Sequence, residues 1–305
     1  MCGSQDRIDA RFEVLDERFR GTDGDAYVER IYDGGRWLEG PVYSPAWRRL
    51  LFSDIPNDRV LCWDETTGAV GTWRQPAGYA NGRTLDRQGR LVHCEQGGRR
   101  VTRTEHDGST TVLADAWQGL RLNSPNDVVV RADGSVWFTD PSYGIDSDYE
   151  GCRAEGETGG CHVYRIDPSG EVSRVADDFL RPNGLAFTRD EQQLYVVDTR
   201  RRHIRRFSVT GDGGLTGGET FATCDAGSFD GIRLDEHARV WAAAHDGVHC
   251  FDPDGTLLGK LRIPQVVSNL TFGGTKRNVL FLTATSAVYS IMINVTGVTY
   301  PAAPH

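Results

Sequence analysis

The sequence predicts an all-β protein folded as a six-bladed β-propeller whose last blade is closed by an N-terminal strand. Three observations predict this fold. Six similar phrases repeat along the 305 residues, with a period of about 40 to 50 residues. Each phrase joins two short apolar runs through a turn. Glycine is abundant, at 36 residues, which favours a turn-rich β-sheet protein.

Each phrase begins with a short polar residue and continues with an apolar alternation, a turn and a second apolar strand. In chain order the phrases read "LEGPVYSPAWRRLLFSDI", "YANGRTLDRQGRLVHCEQ", "SPNDVVVRADGSVWFTDP", "RPNGLAFTRDEQQLYVVDT", "SFDGIRLDEHARVWAAAH" and "VSNLTFGGTKRNVLFLTAT". Their leading polar residues are Glu39, Asn81, Asn126, Asn183, Asp230 and Asn269. Successive leading residues are 42, 45, 57, 47 and 39 residues apart. This period is typical of propeller blades.

The rest of each unit supplies the outer strands of a blade. In the first unit, "EGPVYS", "RLLFSD", "DRVLCWD" and "GAVGTWRQ" read as four strands, and later units turn at "DRQG", "RADG", "DPSG" and "DPDG". The last unit is short, so "AYVERIY" (26–32) is predicted to complete it and remove an open sheet edge. Residues 1–305 are therefore expected to form one domain with an N-terminal extension, 1–25. A β-sandwich or two small β domains would leave six equivalent phrases unexplained.

Charge, hydropathy and cysteine use narrow the functional class. The net charge of −9 disfavours nucleic-acid binding, and no apolar window is long enough for a membrane helix. The polar start "MCGSQDRIDARF" does not resemble a secretory signal, so we expect a cytoplasmic monomer or homodimer. Seven widely spaced cysteines indicate reduced thiols, although Cys152 and Cys161 are close enough to bridge if their loop bends.

The repeat brings the leading polar residues together. The first strand of each propeller blade lines the central channel, so the six side chains are expected to converge at one mouth. The set contains two carboxylates, Glu39 and Asp230, and four amides. Oxygen-only ligands suit a hard divalent cation such as Ca²⁺, Mg²⁺ or Mn²⁺. Turn capping would account for any one of these residues, but not for the whole set.

The same topology predicts which loops surround the mouth. Loops between second and third strands face it, and the longest is 141–159, "PSYGIDSDYEGCRAEGETG". We expect this loop to act as a substrate lid that contributes Tyr143, unless it is a disordered decoration. The interblade stretch 115–125 brings Arg121 near, and His245 ends a second strand. Acidic residues end four other second strands, at Asp54, Glu95, Asp140 and Asp198.

The phrases resemble the family that contains senescence marker protein-30, regucalcin and the gluconolactonases. The resemblance runs from about Trp37 to Tyr289 and rests on "LEGPVY", "NSPNDVVV", "WFTDPSYG", "RPNGLAF" and "FDGIRLD". It implies one divalent metal, with Glu39, Asn183 and Asp230 as ligands and Asn126 binding the metal or the substrate. Ca²⁺ is the first choice, with Zn²⁺, Mg²⁺ or Mn²⁺ as alternatives. Ser124 stands where animal members carry an arginine, and "LNSPND" is more similar to microbial lactonases.

The residues and the resemblance together predict a metal-dependent hydrolase that opens sugar lactones, with a small-molecule lactone as its partner. Asp230 is the predicted general base, and the predicted substrate-binding residues are Asn81, Asn126, Arg121, Tyr143 and His245. An organophosphate or aryl-ester hydrolase on the same metal site, or a non-enzymatic calcium-binding propeller, are the alternatives. Nucleophile-elbow, P-loop and dinucleotide motifs are absent from the sequence. The basic run "RRRHIRRF" (200–207) is interpreted as an outer strand with alternating charge.

Overall fold

Each repeated phrase folds as the inner half of one antiparallel sheet in the computed structural model, which describes residues 6–298. The first strand of each phrase lies innermost, and the later strands of the unit follow outward in chain order. The six innermost strands contact one another in sequence, and the last contacts the first. The ring is therefore closed, and the prediction of a six-bladed propeller is confirmed.

The strands are numbered along the chain, beginning with the N-terminal segment. It contains β1 (Asp6–Asp9), β2 (Arg11–Val14) and β3 (Tyr27–Asp33). Blade one contains β4 (Leu38–Ser44), β5 (Arg49–Asp54), β6 (Arg59–Asp64) and β7 (Val70–Arg74). Blade two contains β8 (Ala80–Leu85), β9 (Leu91–Glu95), β10 (Arg100–Thr104) and β11 (Thr110–Ala114), and is followed by a hairpin of β12 (Ala116–Trp117) and β13 (Leu120–Arg121).

Blade three contains the one-turn helix α1 (Tyr143–Asp146) between its second and third strands. Its strands are β14 (Val128–Val130), β15 (Val136–Asp140), β16 (Cys161–Ile166) and β17 (Val172–Phe179). Blade four contains β18 (Pro182–Phe187), β19 (Gln193–Asp198), β20 (His203–Val209) and β21 (Leu215–Thr223). Blade five contains β22 (Ile232–Leu234), β23 (Val240–Ala244), β24 (Gly247–Phe251) and β25 (Leu257–Arg262). Blade six contains β26 (Val267–Gly273), β27 (Val279–Ala284) and β28 (Ala287–Met292).

The N-terminal segment adds outer strands to two blades rather than one. Strand β3 pairs antiparallel with β28 and completes blade six, as the sequence predicts. Strand β1 then adds a fifth strand outside β3. Strand β2 pairs with β25 of blade five, with Arg11 opposite Arg262. The extension before residue 26 therefore covers the outer edges of two neighbouring blades, which the sequence analysis did not predict.

Large aromatic side chains fill the space between neighbouring blades. Trp137 of blade three is fully buried and meets Phe187 of blade four edge-on, with ring centroids 5.4 Å apart. Trp241 of blade five meets Phe272 of blade six in the same way, at 6.2 Å. The tryptophans of these two second strands therefore pack between neighbouring blades.

Glycines that follow the leading polar residues let neighbouring inner strands approach closely. A Cβ atom on Gly40, which has a φ of +50°, would lie 2.0 Å from the backbone oxygen of Asn81. A Cβ atom on Gly184 would lie 2.5 Å from the backbone oxygen of Asp230. The residue pairs "EG", "NG" and "DG" therefore place each polar side chain next to the following blade at the channel mouth.

Buried carboxylates at the ends of second strands fix the segments that lead into the inner strands. The Asp140 carboxylate accepts the backbone N–H groups of Asn123 and Ser124, both at 2.8 Å. Asp198 does the same for the N–H groups of Leu180 and Arg181, at 2.9 and 3.1 Å. Asp54 likewise accepts the N–H of Arg36. These acidic residues have a structural role, since they hold the chain two or three residues before Glu39, Asn126 and Asn183.

Buried His93 makes the stability of the fold dependent on pH. Its Nε2 lies 3.0 Å from Thr104 Oγ1, its ring stacks on Trp73, and burial lowers its pKa well below 6.5, with the positive charges of Arg83 and Arg74 adding to the effect. The folded chain therefore holds a neutral imidazole, whereas the unfolded chain takes up a proton near its ordinary pKa. The stabilising contribution is complete above pH 6.5 and is lost as the pH falls below it.

We expect His93→Gln to remove this pH dependence. Between pH 7.5 and 5.5, the unfolding free energy of the wild type should fall relative to that of the variant by about 1.4 kcal/mol. Urea unfolding at a series of pH values measures the difference. A difference that stays constant across this range would contradict the assignment of a neutral buried imidazole.

The cysteines and the basic run have no special arrangement in the part of the chain that the structure describes. Cys152 and Cys161 are free thiols, with Cys152 exposed. Three arginines of the basic run pair with nearby acidic side chains, namely Arg201 with Asp198, Arg205 with Asp178 and Arg206 with Glu219. Their charges are thus neutralised locally, as expected for an outer strand of alternating charge. The helical turns of residues 6–298 have neither the length nor the apolarity of a membrane span.

Candidate active site

Most of the predicted site residues line a single cavity of about 220 Å³ at the channel mouth. The predicted residues in its wall are Glu39, Asn81, Asn126, Tyr143, Asn183, Asp230 and His245. The wall also contains Trp37, Glu150, Thr199, Ser228, Val266 and Val267, which the sequence analysis did not select. The cavity is smaller than the sites that hold drug-sized ligands, so it suits a small polar molecule.

Two buried carboxyl groups line the cavity without a cationic partner. Within residues 6–298, neither Glu39 nor Asp230 forms an ion pair, and the Oδ1 atom of Asp230 is buried without a hydrogen bond. Burial raises the pKa of Asp230 well above its ordinary value, and the charges of Glu39 and Glu150 raise it further. Burial also raises the pKa of Glu39, to about 8. With both groups ionised, the site would hold two like charges that the protein itself does not neutralise, so ionisation of the pair favours a bound cation.

The neighbouring amides orient the two carboxylates and leave oxygen atoms free. Glu39 Oε2 accepts hydrogen bonds from Gly40 N at 2.7 Å and from Asn269 Nδ2 at 3.1 Å. Asn183 Nδ2 donates to Thr199 Oγ1 at 3.0 Å. Asn269, the sixth leading residue, therefore holds the Glu39 carboxylate in place through its hydrogen bond. These bonds leave Asn183 Oδ1 available as an acceptor.

The donor set fits a hard divalent cation. Among the described residues, no three His, Cys, Asp or Glu side chains form a metal cluster by themselves. A cation would instead be held by the carboxylates of Glu39 and Asp230 and by the amide oxygens of Asn183 and Asn126. Oxygen-only sets of this kind suit Ca²⁺, Mg²⁺ or Mn²⁺, and the unpartnered Asp230 Oδ1 has no other ligand among the described side chains.

The loop 141–159, predicted as a lid, contacts the residues around the mouth. Its helix α1 is held by Arg181, whose guanidinium pairs with Asp146 at 2.9 Å and lies over the Tyr143 ring at 5.1 Å. Ser124 Oγ accepts from Gly144 N at 2.9 Å, which fixes the loop to the segment before blade three. The loop thus places Tyr143 in the cavity wall.

One residue of this loop was missed by the sequence analysis. Glu150 reaches the cavity wall, and its charge acts on both Glu39 and Asp230. Burial raises its pKa to about 7. The loop lies outside the repeated phrases, so no spacing could select Glu150 among its several acidic residues.

The predicted position of Arg121 is corrected by the structure. Arg121 is exposed on the hairpin of β12 and β13, and it does not line the cavity. Its backbone N–H donates to Glu157 Oε2 at 2.9 Å. Strands β12 and β13 form a tight hairpin. Trp117 of this hairpin packs on Tyr164 and does not line the cavity. His245 does line the cavity, with its Nε2 lying 3.3 Å from Ser228 Oγ.

Comparisons with known proteins match nearly the whole propeller. The family model described as "SMP-30/Gluconolactonase/LRE-like region" matches residues 37–286. A gluconolactonase from Zymomonas mobilis is 31% identical over 290 residues, which cover 87% of this chain and 80% of that protein. A pentonolactonase from Haloferax volcanii is 31% identical over 268 residues, covering 84% of each chain.

Solved structures agree with these matches. A gluconolactonase from Xanthomonas campestris superposes with a TM-score of 0.90 and 38% identity, covering 95% of this chain and 97% of that one. Regucalcin from Agrobacterium tumefaciens, described as a calcium-binding protein, superposes with a TM-score of 0.75 and 20% identity, covering 98% and 99%. The latter likeness concerns the fold alone.

Proposed function

Because the chain belongs to the SMP-30/gluconolactonase/LRE-like family and is a lactone hydrolase, we propose that it opens a small sugar lactone in this cavity with the help of one divalent cation. One observation carries the proposal. Two buried carboxylates that lack a cationic partner meet amide oxygens in a cavity of about 220 Å³. The similarity to a gluconolactonase and a pentonolactonase supports an aldonolactone as the substrate.

The cation would be held by Glu39, Asn183, Asp230 and Asn126, with Ca²⁺ as the first candidate. When bound, such a cation supplies Lewis acidity toward the lactone carbonyl and toward water. Asn269 and Gly40 hold Glu39 in place through their hydrogen bonds to Oε2. Thr199 holds the Asn183 amide, so the oxygen positions are set before any ligand arrives.

Asp230 is the proposed general base. One oxygen of its carboxylate would contact the cation, and the other can accept a proton from the attacking water. The neighbouring amides of Asn81 and Asn126 line the wall and can donate to the substrate carbonyl or hydroxyls. His245 and Tyr143 complete the proposed substrate contacts.

The loop 141–159 is the proposed substrate lid. It extends from blade three and contributes two side chains to the cavity wall, Tyr143 and Glu150. A lid over a small polar cavity excludes bulk water and strengthens the electrostatic interactions inside. We treat residues 1–305 as one propeller domain in which this loop is the principal insertion.

A pH-stat assay on a panel of aldonolactones, with and without a chelator, tests the proposal. We expect a gluconolactone or a pentonolactone to be hydrolysed above the spontaneous rate. The chelator should lower this rate by about 100-fold or more, because Lewis-acid stabilisation is worth several kcal/mol in a transition state. Adding back Ca²⁺, Mg²⁺, Mn²⁺ or Zn²⁺ separately should restore the rate and identify the preferred ion.

Three results would contradict the proposal in different ways. Chelator-insensitive hydrolysis would remove the cation from the mechanism. Hydrolysis of aryl or phosphorus esters without lactone opening would point to the organophosphate or aryl-ester alternative. Cation binding without turnover of any ester would indicate a non-enzymatic binding protein.

A further inference from the structure

The lid carries a carboxyl group that the proposed mechanism does not yet use. Glu150 lines the cavity from the loop, whereas Glu39 and Asp230 stand at the channel on the strand side. Within residues 6–298, the half-buried Glu150 side chain makes neither a hydrogen bond nor an ion pair. A carboxyl group that is partly withdrawn from water and has no protein partner is available to a ligand in the cavity.

Glu150 enters the cavity from a different part of the chain than the proposed cation ligands. Glu39 and Asp230 lie at inner strands of the ring, whereas Glu150 belongs to the loop inserted in blade three. The charge of Glu150 acts on both carboxyl groups, and all three side chains line the same small cavity. A substrate bound in this cavity could therefore contact Asp230 from the channel and Glu150 from the loop.

Opening a sugar lactone needs a proton donor as well as a base. The ring oxygen leaves as an alkoxide, which is a poor leaving group unless it is protonated as the bond breaks. Asp230 could return the proton it takes from the water only if its carboxyl also reached the ring oxygen, whereas Glu150 enters the same cavity from the loop. His245 also lines the cavity, but it is exposed and engaged with Ser228. Burial raises the pKa of Glu150 to about 7, which keeps a proton on it near neutral pH.

We propose that Glu150 is the general acid that protonates the leaving ring oxygen, an inference that rests on the lactonase function proposed above. The water oxygen bonds to the carbonyl carbon, and Asp230 takes the water proton. The bond between the carbonyl carbon and the ring oxygen then breaks. The ring oxygen keeps the electron pair and takes the proton of Glu150. Asp230 releases its proton to solvent, Glu150 regains one, and the product is the open hydroxy acid.

A comparison of two leaving groups tests this role. δ-Gluconolactone expels an alkoxide, whereas dihydrocoumarin expels a phenolate that needs no protonation; 4-nitrophenyl acetate can replace dihydrocoumarin if the wild type does not open it. We expect Glu150→Gln to lower kcat for δ-gluconolactone by about 10²- to 10³-fold and kcat for the aryl substrate by less than about threefold. KM and the calorimetric affinity for Ca²⁺ should stay within about threefold. Glu155→Gln is the matched control, because Glu155 is an exposed acid of the same loop outside the cavity wall.

Each outcome of this comparison either supports or overturns the proposed role of Glu150. Selective loss on δ-gluconolactone with retained Ca²⁺ affinity supports the general acid. Equal losses on both substrates, unchanged kcat, or loss of Ca²⁺ affinity with Glu150→Gln would overturn it while leaving the lactonase proposal intact. A wild type that opens no aldonolactone would overturn the proposed function, and this inference with it.

Discussion

Asp230→Asn is expected to abolish nearly all turnover while the propeller stays folded. A general base contributes about 10²- to 10⁴-fold to a rate, so we expect kcat/KM for an aldonolactone to fall by about 10³-fold. An amide at this position still offers an oxygen to a cation, but it cannot accept the proton of the attacking water. The backbone bonds of residue 230, from its N–H to Ala243 O and from Gly184 N to its carbonyl, do not depend on the side chain.

The stability of the same variant distinguishes a lost base from a damaged fold. Asp230 is a buried carboxyl whose pKa is raised by burial and by the charge of Glu39. Removing its charge should leave the unfolding free energy of the chelated protein unchanged or higher. Asp225→Asn provides a matched control, because Asp225 is half-exposed, pairs with Lys260 and lies outside the cavity wall. Full activity of Asp230→Asn in the pH-stat assay would contradict the assignment.

Glu39→Gln is expected to weaken cation binding strongly. Residues that only orient a ligand change metal affinity by about 10- to 100-fold, so loss of a charged ligand should cost at least about 100-fold. Glutamine can still accept the N–H of Gly40 through one oxygen, so the strand should keep its position. Isothermal titration calorimetry with Ca²⁺ measures the change.

Thermal unfolding and rescue provide two further readouts for Glu39→Gln. A cation at 100 times its dissociation constant stabilises the wild type by about 2.7 kcal/mol, and this increment should disappear in the variant at the same concentration. Excess cation should recover activity in Glu39→Gln but not in Asp230→Asn, since only the latter loses a proton acceptor. Undiminished cation affinity in Glu39→Gln would place the ion elsewhere.

The sequence alone predicts the ring and most of the cavity wall because both follow from a repeat. A leading polar residue at the start of each inner strand must reach the same mouth, whatever the loops do. Glu39, Asn81, Asn126, Asn183 and Asp230 therefore lie together as expected. Asn269 follows the same rule but supports Glu39 instead of lining the cavity.

The features that were missed lie outside the repeat. Glu150 belongs to an insertion, so its direction depends on contacts such as Arg181 on Tyr143 that no local pattern encodes. Arg121 was expected at the mouth from its place between blades, yet a two-residue hairpin turns it outward. The strands β1 and β2 lie in a polar, charged segment, and their partners are almost 250 residues away for β2. Long-range pairing of this kind leaves no periodic signature.

The position of those N-terminal strands has a consequence for how the protein is made. Strands β2 and β3 leave the ribosome first, but their partners β25 and β28 are among the last segments to be synthesised. Blades one to four can pair their own strands during translation, whereas the N-terminal strands have no partner until nearly the whole chain has emerged. Closure of blades five and six is therefore a late, non-local step, and contacts of such high sequence separation are the slow ones to form.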